Sequence, residues 1–412
     1  MKTFVRGGSL LACLLTAMAA QAATPESTTQ GTLSFGARYR HESVDQDNAL
    51  RNANADTLRL RLGYRTATWH GFSAFAEADY TARLGASHYN DTRNGATGYS
   101  VIGDPEGAEI NQALLRYASK RVSVQGGRQR LVFDNQRFVG GSAWRQNEQT
   151  YDGGWLQWTP LDRFALDYAY IDNINTVFGP DAPTPASTTT AGNIEGRSHL
   201  LHAQLKLSPA LVLTGYEYRL GLHNIAVAAG APLGTLSSRT TGLRASGQAK
   251  GFSYAAEYAR QRDWDDNPWQ LDSRYSLLEL GYTYKQVQAK VGQERLGAGS
   301  GAGNRAFQTP LATKHAFQGW ADVFLTTPAD GLRDRYVGVT ANAGGQWQAW
   351  FHDFHDDRNH ARLGRELNLS WGHAVPGVKG LDALIKVARY RSRDERRTVD
   401  TDKLWLQLDY RY

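Results

Sequence analysis

Apolar and polar residues alternate with period two along nearly the whole chain. In TLRLRLGYR, Leu58, Leu60, Leu62 and Tyr64 alternate with Arg59, Arg61, Gly63 and Arg65. In HLLHAQLKL, Leu201, Ala203, Leu205 and Leu207 alternate with His202, Gln204 and Lys206. FSYAAEYA and VQAKVGQE repeat the pattern. The final stretch, KLWLQLDYRY, places Leu404, Leu406, Leu408, Tyr410 and Tyr412 on one parity, and Lys403, Trp405, Gln407, Asp409 and Arg411 on the other. Successive side chains of a strand point to opposite faces, so each segment has an apolar and a polar face. Helical 3.6-residue periodicity is not sustained over the roughly 12 residues a helix needs. The chain is predicted to be all-β.

About eighteen segments carry the alternation, each near the length of about ten residues with which a tilted strand crosses a bilayer. They span 31–41, 57–66, 72–83, 109–118, 122–132, 151–159, 163–172, 198–208 and 210–220 in the first half. In the second half they span 239–249, 252–262, 274–285, 287–296, 333–343, 346–356, 363–374, 381–391 and 402–411. Sixteen strands is the alternative count, since boundaries read this way shift by about two to four residues. Connections alternate in length. Short links such as SKR, PLD, SP and KG follow even-numbered segments. Long links rich in Gly, Asn, Asp and Pro follow odd-numbered ones, among them 84–108, 133–150, 173–197 and 297–332. Short turns at one end and long loops at the other predict a transmembrane outer-membrane β-barrel of antiparallel strands, with short periplasmic turns and long extracellular loops.

Closure of that barrel pairs the last segment with TLSFGARYR, the first. An open edge in hydrocarbon would leave backbone N–H and C=O groups unsatisfied at several kcal/mol each. The terminal aromatic, Tyr412, resembles the signal read by the barrel-assembly machinery, an expected partner alongside outer-membrane lipid and lipopolysaccharide. Tyr39, Tyr64, Tyr80, Tyr117, Trp158, Tyr170, Tyr218, Tyr284, Trp371 and Tyr410 fall near strand ends on the apolar parity, where interfacial girdles place such rings. A soluble sandwich or propeller is the competing architecture; it accounts for neither the loop asymmetry nor the start of the chain.

That start changes the reading of length. Met1, Lys2 and Arg6 precede the apolar run GGSLLACLLTAMAA and the small-residue site Ala20-Gln21-Ala22. Residues 1–22 are expected to be a cleaved signal peptide and 23–412 a single barrel domain. Cys13, the only cysteine of the 412 residues, lies inside this segment, so the exported chain is expected to have no disulfide; acylation at Cys13 is the rival reading. Losing Lys2 and Arg6 from the 46 basic residues leaves a small excess over the 40 acidic ones, which does not call for nucleic acid. A mean hydropathy of −0.51 suits a barrel whose strands face lipid and water in turn.

With the apolar parity toward lipid, the other parity faces a lumen. Its basic residues would be Arg38, Arg40, Arg59, Arg61, Arg65, Arg116, Lys206, Arg219, Arg244, Lys285, Lys290 and Arg411. Its acidic residues would be Glu77, Asp79, Asp167, Glu217, Glu257, Glu279, Glu294, Glu366 and Asp409. Closure brings strands one, two and eighteen together, so Arg38, Arg40, Arg59, Arg61, Arg65 and Arg411 share one wall, answered by Glu77 and Asp79 on the third strand. Such a wall can select anions, because guanidinium keeps its charge and its fork fits carboxylates. Equally, lumen residues need only be polar and mutually paired.

Two stretches resemble the alginate-export family of outer-membrane porins: GRQRLVFDNQRFVGGSAWRQNEQTYDGGWLQW (127–158) and FQGWADVFLTTPADGLRDRYVGV (317–339). The resemblance implies an eighteen-stranded barrel with an arginine-rich pore. It implies pore-facing roles for Arg128 and Arg130, with Arg145 and Asp152 in or near that network, and Asp322, Asp334 and Arg335 in the second motif. Parity alone does not aim Arg128 inward, since Val122 and Val124 share it; a bulge at Gly126-Gly127 could re-aim the strand.

Catalytic and metal chemistry find little support. No GxSxG elbow occurs. In HDFHDDRNH, His352 and His355 fall on opposite faces, which leaves Asp356 and Asp357 as a weak cation possibility. No cofactor and no enzymatic activity are expected. The expected function is an outer-membrane channel for passive diffusion of anionic solutes such as acidic sugars or organic anions. Export of an anionic polysaccharide such as alginate is the alternative, and a barrel enzyme or adhesin the reading from another class.

Overall fold

The computed structural model describes residues 30–85, 88–180 and 190–412; the signal segment and Cys13 lie outside them. The first half supplies β1 (Thr32–Gln46), β2 (Ala53–Arg65), β3 (Phe72–Arg83), β4 (Gly107–Ala118), β5 (Val122–Gln129), β6 (Thr150–Leu161), β7 (Phe164–Asn175), β8 (Asn193–Ser208) and β9 (Leu211–Leu220). The second half supplies β10 (Ser238–Ala249), β11 (Phe252–Asp263), β12 (Asp272–Tyr284), β13 (Val287–Leu296), β14 (Leu332–Asn342), β15 (Gln346–His355), β16 (Arg362–Ala374), β17 (Leu381–Ser392) and β18 (Thr401–Arg411). Every strand pairs antiparallel with its sequence neighbours, and β1 pairs with both β2 and β18. The eighteen-stranded sheet therefore closes on itself and leaves no edge.

The register sorts the two parities. Leu60, Leu62, Leu115, Leu243, Leu278, Val291, Val337, Leu369 and Ile385 are exposed on the outside, where lipid would cover them. Arg59, Glu77, Asp167, Glu257, Glu294, Glu366 and Asp409, one residue out of phase, are buried within the barrel. Turns at one end are tight. β10 and β11 are joined by Lys250-Gly251, both with positive φ (50° and 85°), the handedness that matches strand twist in a two-residue hairpin.

Several strands run further than the alternation predicts, mostly at the long-loop end. β1 continues to Gln46, β2 begins at Ala53, and β8 begins at Asn193. Here HESVDQ and NIEGR extend the ladder beyond the apolar belt, where the outward positions are polar while Val44 and Ile194 pack inside, so period two no longer marks the lipid face.

The lumen parity is not polar throughout. Tyr216, Tyr218, Tyr275, Phe354, Tyr390 and Trp405 point inward and are buried, in one cluster with Leu131, Phe133, Val139, Phe307, Leu311 and Phe324. The latter come from loops 130–149 and 297–331, which fold into the barrel and use the aromatic wall as their core. Tyr218, assigned above to the outer girdle, is among these inward residues and is 3% exposed. A ring near a strand end satisfies either a girdle or an inner core, and only the register separates them.

Candidate functional site

The antiparallel register of β18, β1, β2 and β3 builds one wall of the lumen. Asp409, Arg38 and Arg59 lie side by side on three adjacent strands, and Arg61 faces Asp79 across β2 and β3. The Arg38 Nε donates to Asp409 at 2.8 Å, and its Nη1 reaches the Ala143 carbonyl at 3.0 Å. Arg61 forks onto Asp79, with Nε–Oδ1 at 2.7 Å, and its Nη1 reaches Glu148 at 2.5 Å. Arg130, just past β5, pairs with Glu148 and reaches Glu77 at 2.7 Å. Two loop residues thus complete a network begun on the strands. Burial opposes ionisation of Glu148, yet Arg130 and Arg61 overcome it and hold the carboxyl at about 2.

Arg59 differs from its neighbours. It is buried, it makes no ion pair among the described residues, and its one hydrogen bond is Nη1 to the Gln146 carbonyl at 3.4 Å. Its Nε has no partner. A desolvated guanidinium without a carboxylate is unusual; the neighbouring Glu148, Asp79 and Asp409 supply negative charge near it.

Above this wall, loop 130–149 is fixed by a second group. Arg145 contacts Glu42 at 2.9 Å and Asp104 at 3.5 Å, so its charge is strongly held. Trp144 stacks on His315 at 4.5 Å between ring centres, while Arg40 and Lys386 sit over the Trp144 ring. Nδ1 of His315 lies 2.8 Å from Asp322, and Nε2 lies 2.7 Å from the Lys386 Nζ. The Lys386 ammonium can only donate, so that geometry requires a neutral imidazole with the proton on Nδ1. Burial agrees, pushing the ring down to about 3. Asp322 also meets Lys403 at 2.9 Å, and despite burial these contacts hold it well below the usual carboxylate range.

A third anchor joins both loops to the opposite wall. Arg137 Nε donates to Glu294 of β13 at 2.6 Å, Nη1 to Thr309 at 2.9 Å and Nη2 to Gln318 at 3.1 Å. Phe317 covers the guanidinium.

The remaining anticipated residues fall in several places. Arg65 lies over Phe75, Arg116 donates to Ser123 at 3.0 Å, and Arg411 lies beside Asp409 and Asp382 at the short-turn end. Arg244 pairs with Glu257 at 2.6 Å, and Asp334 accepts from His352 at 2.9 Å, both within the barrel. Arg128 requires correction. It pairs in register with Ala113, on the parity of the exposed Leu115, and forms an ion pair with Asp152 on the same outward face. Gln129, not Arg128, turns inward and is buried. Arg335 faces Asp353 and Gln293 on the outward parity of exposed Val337, and Glu217 and Arg219 likewise lie outside, because Tyr216 and Tyr218 take the inward positions of β9. The cation possibility at Asp356 and Asp357 also fails. Asp357 is taken by Arg295 at 2.5 Å and Arg333 at 3.2 Å, and Asp356 by Arg397 at 3.0 Å.

Arg137, Glu148, Glu42, Asp104, Lys386 and His315 were not singled out from the sequence. Trp405 carried a signal: an indole on the charged parity of the last strand is out of place unless something apolar packs on it from inside.

The alginate-export family model matches residues 30–172. That stretch contains the first of the two resembling motifs and β1 to β6, with most of the basic wall; the second motif lies beyond it. The fold is similar to OccAB4 of Acinetobacter baumannii, with a TM-score of 0.70 at 16% identity over 94% of this chain and 100% of that one. It is also similar to OpdO of Pseudomonas aeruginosa, with a TM-score of 0.70 at 15% identity over 93% and 98%. OpdG of Pseudomonas aeruginosa gives a TM-score of 0.71 at 15% identity over 92% and 98%. No curated protein matches the sequence.

Proposed function

We propose that the chain is an outer-membrane channel through which anionic solutes, such as acidic sugars or organic anions, diffuse passively. One observation carries the reading. In the ion pairs of the wall, the carboxylate is the more buried member. Arg130 is 34% exposed against 4% for Glu148, and Arg38 is 14% against 6% for Asp409. Arg61 at 14% stands over Asp79 at 1%. The acids lie behind the guanidinium groups, so the charge a passing solute meets is positive although the wall is nearly neutral in sum. Field lines in a narrow, low-dielectric passage are focused, which makes that first layer decisive for ion sign. Arg59, lacking a carboxylate of its own, adds to this field.

The chain would reach its site through cleavage of residues 1–22 and delivery of β18 with Tyr412 to the barrel-assembly machinery. Reversal potential in planar bilayers under a salt gradient tests the channel reading. Anion preference is expected; no current, or strong cation preference, overturns it. Replacing Arg61 and Arg130 by Gln should lower the anion-to-cation permeability ratio severalfold and leave the Arg38 region intact.

Export of an anionic polysaccharide is the second reading, favoured by the family match over residues 30–172. It requires a lumen wide enough for a polymer, whereas loops 130–149 and 297–331 occupy this one. Flux of anionic oligosaccharides of increasing length through vesicles separates the two: a cut-off at short chains supports the channel for small solutes.

A further inference from the structure

Outside the barrel, at the long-loop end, arginines face arginines. Across neighbouring strands Arg219 is opposite Arg239, and Arg239 is also opposite Arg262. Arg260 is opposite Arg274, Arg295 opposite Arg333, and Arg365 opposite Arg391. These positions share the outward parity of exposed Leu243, Tyr258, Leu278, Val337 and Leu367, and each lies just beyond that apolar belt. Like charges placed directly opposite destabilise a sheet unless counter-charge is supplied. The chain supplies fewer acids than arginines. Glu217 serves both Arg219 and Arg239, Asp353 serves both Arg362 and Arg365, and Asp357 serves both Arg295 and Arg333. Asp272 pairs with Arg260 and stands opposite Arg262, and Arg391 is served by Asp400 and Asp402. Arg262 and Arg274 have no ion-pair partner among the described residues. The excess of arginine is one-sided: on the outward face at the same end, β1, β2, β6 and β8 carry Asp45, Asp56, Asp152 and Glu195, balanced only by Arg128 and Arg197.

Directly below the band the outer surface is grooved. Gly215, Ala245 and Ala256 are small where neighbours are large, and with Leu213, Leu243 and Leu278 they line a groove of about 660 Å³. A second groove of about 760 Å³ runs between Leu280, Val291, Val337 and Phe351, with Arg335 at its lining.

We propose that the outward faces of β9 to β17 bind a phosphorylated glycolipid of the outer leaflet, the arginine band taking its phosphates and the grooves its acyl chains. The geometry favours a lipid over a protein partner. Positive charge is aligned in a band at headgroup height, and apolar grooves continue from it into the belt that hydrocarbon must cover. Guanidinium forks fit phosphate in two hydrogen bonds and are more weakly hydrated than ammonium, which suits this boundary. A bound phosphate would also relieve the cross-strand repulsion. The inference rests on the barrel standing in a membrane and not on which solute crosses its lumen.

The test uses folded protein in non-ionic detergent, with bisphosphorylated lipid A, dephosphorylated lipid A and inorganic phosphate as probes. Native mass spectrometry should retain bisphosphorylated lipid A at least tenfold better than the dephosphorylated form, and inorganic phosphate should not compete at equal concentration. R262Q/R274Q should lose most of that retention. Ala256→Leu, which fills a groove without touching a charge, should weaken it severalfold. Both variants should keep heat-modifiable migration and unchanged conductance and ion preference, so failure here is distinguishable from failure of the channel reading. Equal retention of the two lipid forms overturns the proposal, as does undiminished retention by both variants. Displacement by inorganic phosphate would mean a free-anion site and overturn the lipid assignment. Self-association that lipid A does not affect would assign the face to a second copy and overturn it too.

Discussion

Replacing Arg137 by Met should unlatch the lumen loops without opening the barrel. Met keeps much of the stem volume and removes the charge. Arg137 and Glu294 are 2% and 4% exposed. Breaking a buried pair by removing one partner costs about 3–5 kcal/mol, mostly because the survivor is left charged. Glu294 keeps the Tyr275 hydroxyl at 2.7 Å and the Gln318 amide, which places the loss near the low end, about 3 kcal/mol. Thr309 and Gln318 lose two of the donors that tie loop 297–331 to loop 130–149; those around Gln136, Gly140 and Leu311 remain. None of these contacts belongs to the strand ladder, so the loss falls on loop closure. At about 1.4 kcal/mol per factor of ten, about 3 kcal/mol raises the loop-open population roughly 100-fold. Single-channel recording should show much more frequent transitions to a higher conductance, and limited proteolysis should begin within 130–149. Adding Glu294→Gln should restore part of the quiet state, because the stranded charge is then gone. A variant that folds, as judged by heat-modifiable migration, yet gates and resists protease like the parent would refute the latch.

Acid should act in the same direction. Glu148, Asp322 and His315 all have folded-state values below their ordinary ones, so each contributes stability above its unfolded value and loses it as pH falls. Loop opening should begin to rise below about pH 6.5, where unfolded histidine protonates, and steepen below about pH 4.3, where unfolded Glu does; recordings flat from pH 7 to 3 would contradict this. Leu278→Arg, on the lipid face, should destabilise the barrel by up to about 2–4 kcal/mol if it lies near the bilayer midplane, read from urea-induced unfolding in lipid vesicles. Gly127→Ala should also cost stability, because φ at Gly127 is +118° and an added Cβ would stand 2.3 Å from the Ala113 carbonyl oxygen; a variant as stable as the parent would remove the need for glycine there.

The period-two pattern determined the barrel by itself: a strand number near eighteen with sixteen left open, the antiparallel order, the turn and loop ends, and the inward aim of Arg38, Arg59, Arg61, Glu77, Asp79 and Asp409. Those are local facts, because a lipid outside and water inside sort neighbouring residues by parity alone. The pattern misled where its premise lapsed. At the long-loop end of β9 the inward face is aromatic and the outward face charged, so Glu217 and Arg219 were misread as lumen residues; Arg335 was carried inward by the family resemblance. At Arg128 and Asp152 it was the family resemblance that pointed inward; parity, shared with Val122 and Val124, already placed Arg128 outside, and Asp152 pairs with it there. What only the tertiary structure decided is how loops 130–149 and 297–331 enter the lumen, and so which inner groups remain in contact with water. Glu148, Arg137 and Asp322 meet partners far away in sequence, at separations no periodicity encodes. The order of burial within each ion pair, acid behind and guanidinium in front, arises only when those loops are packed against the wall.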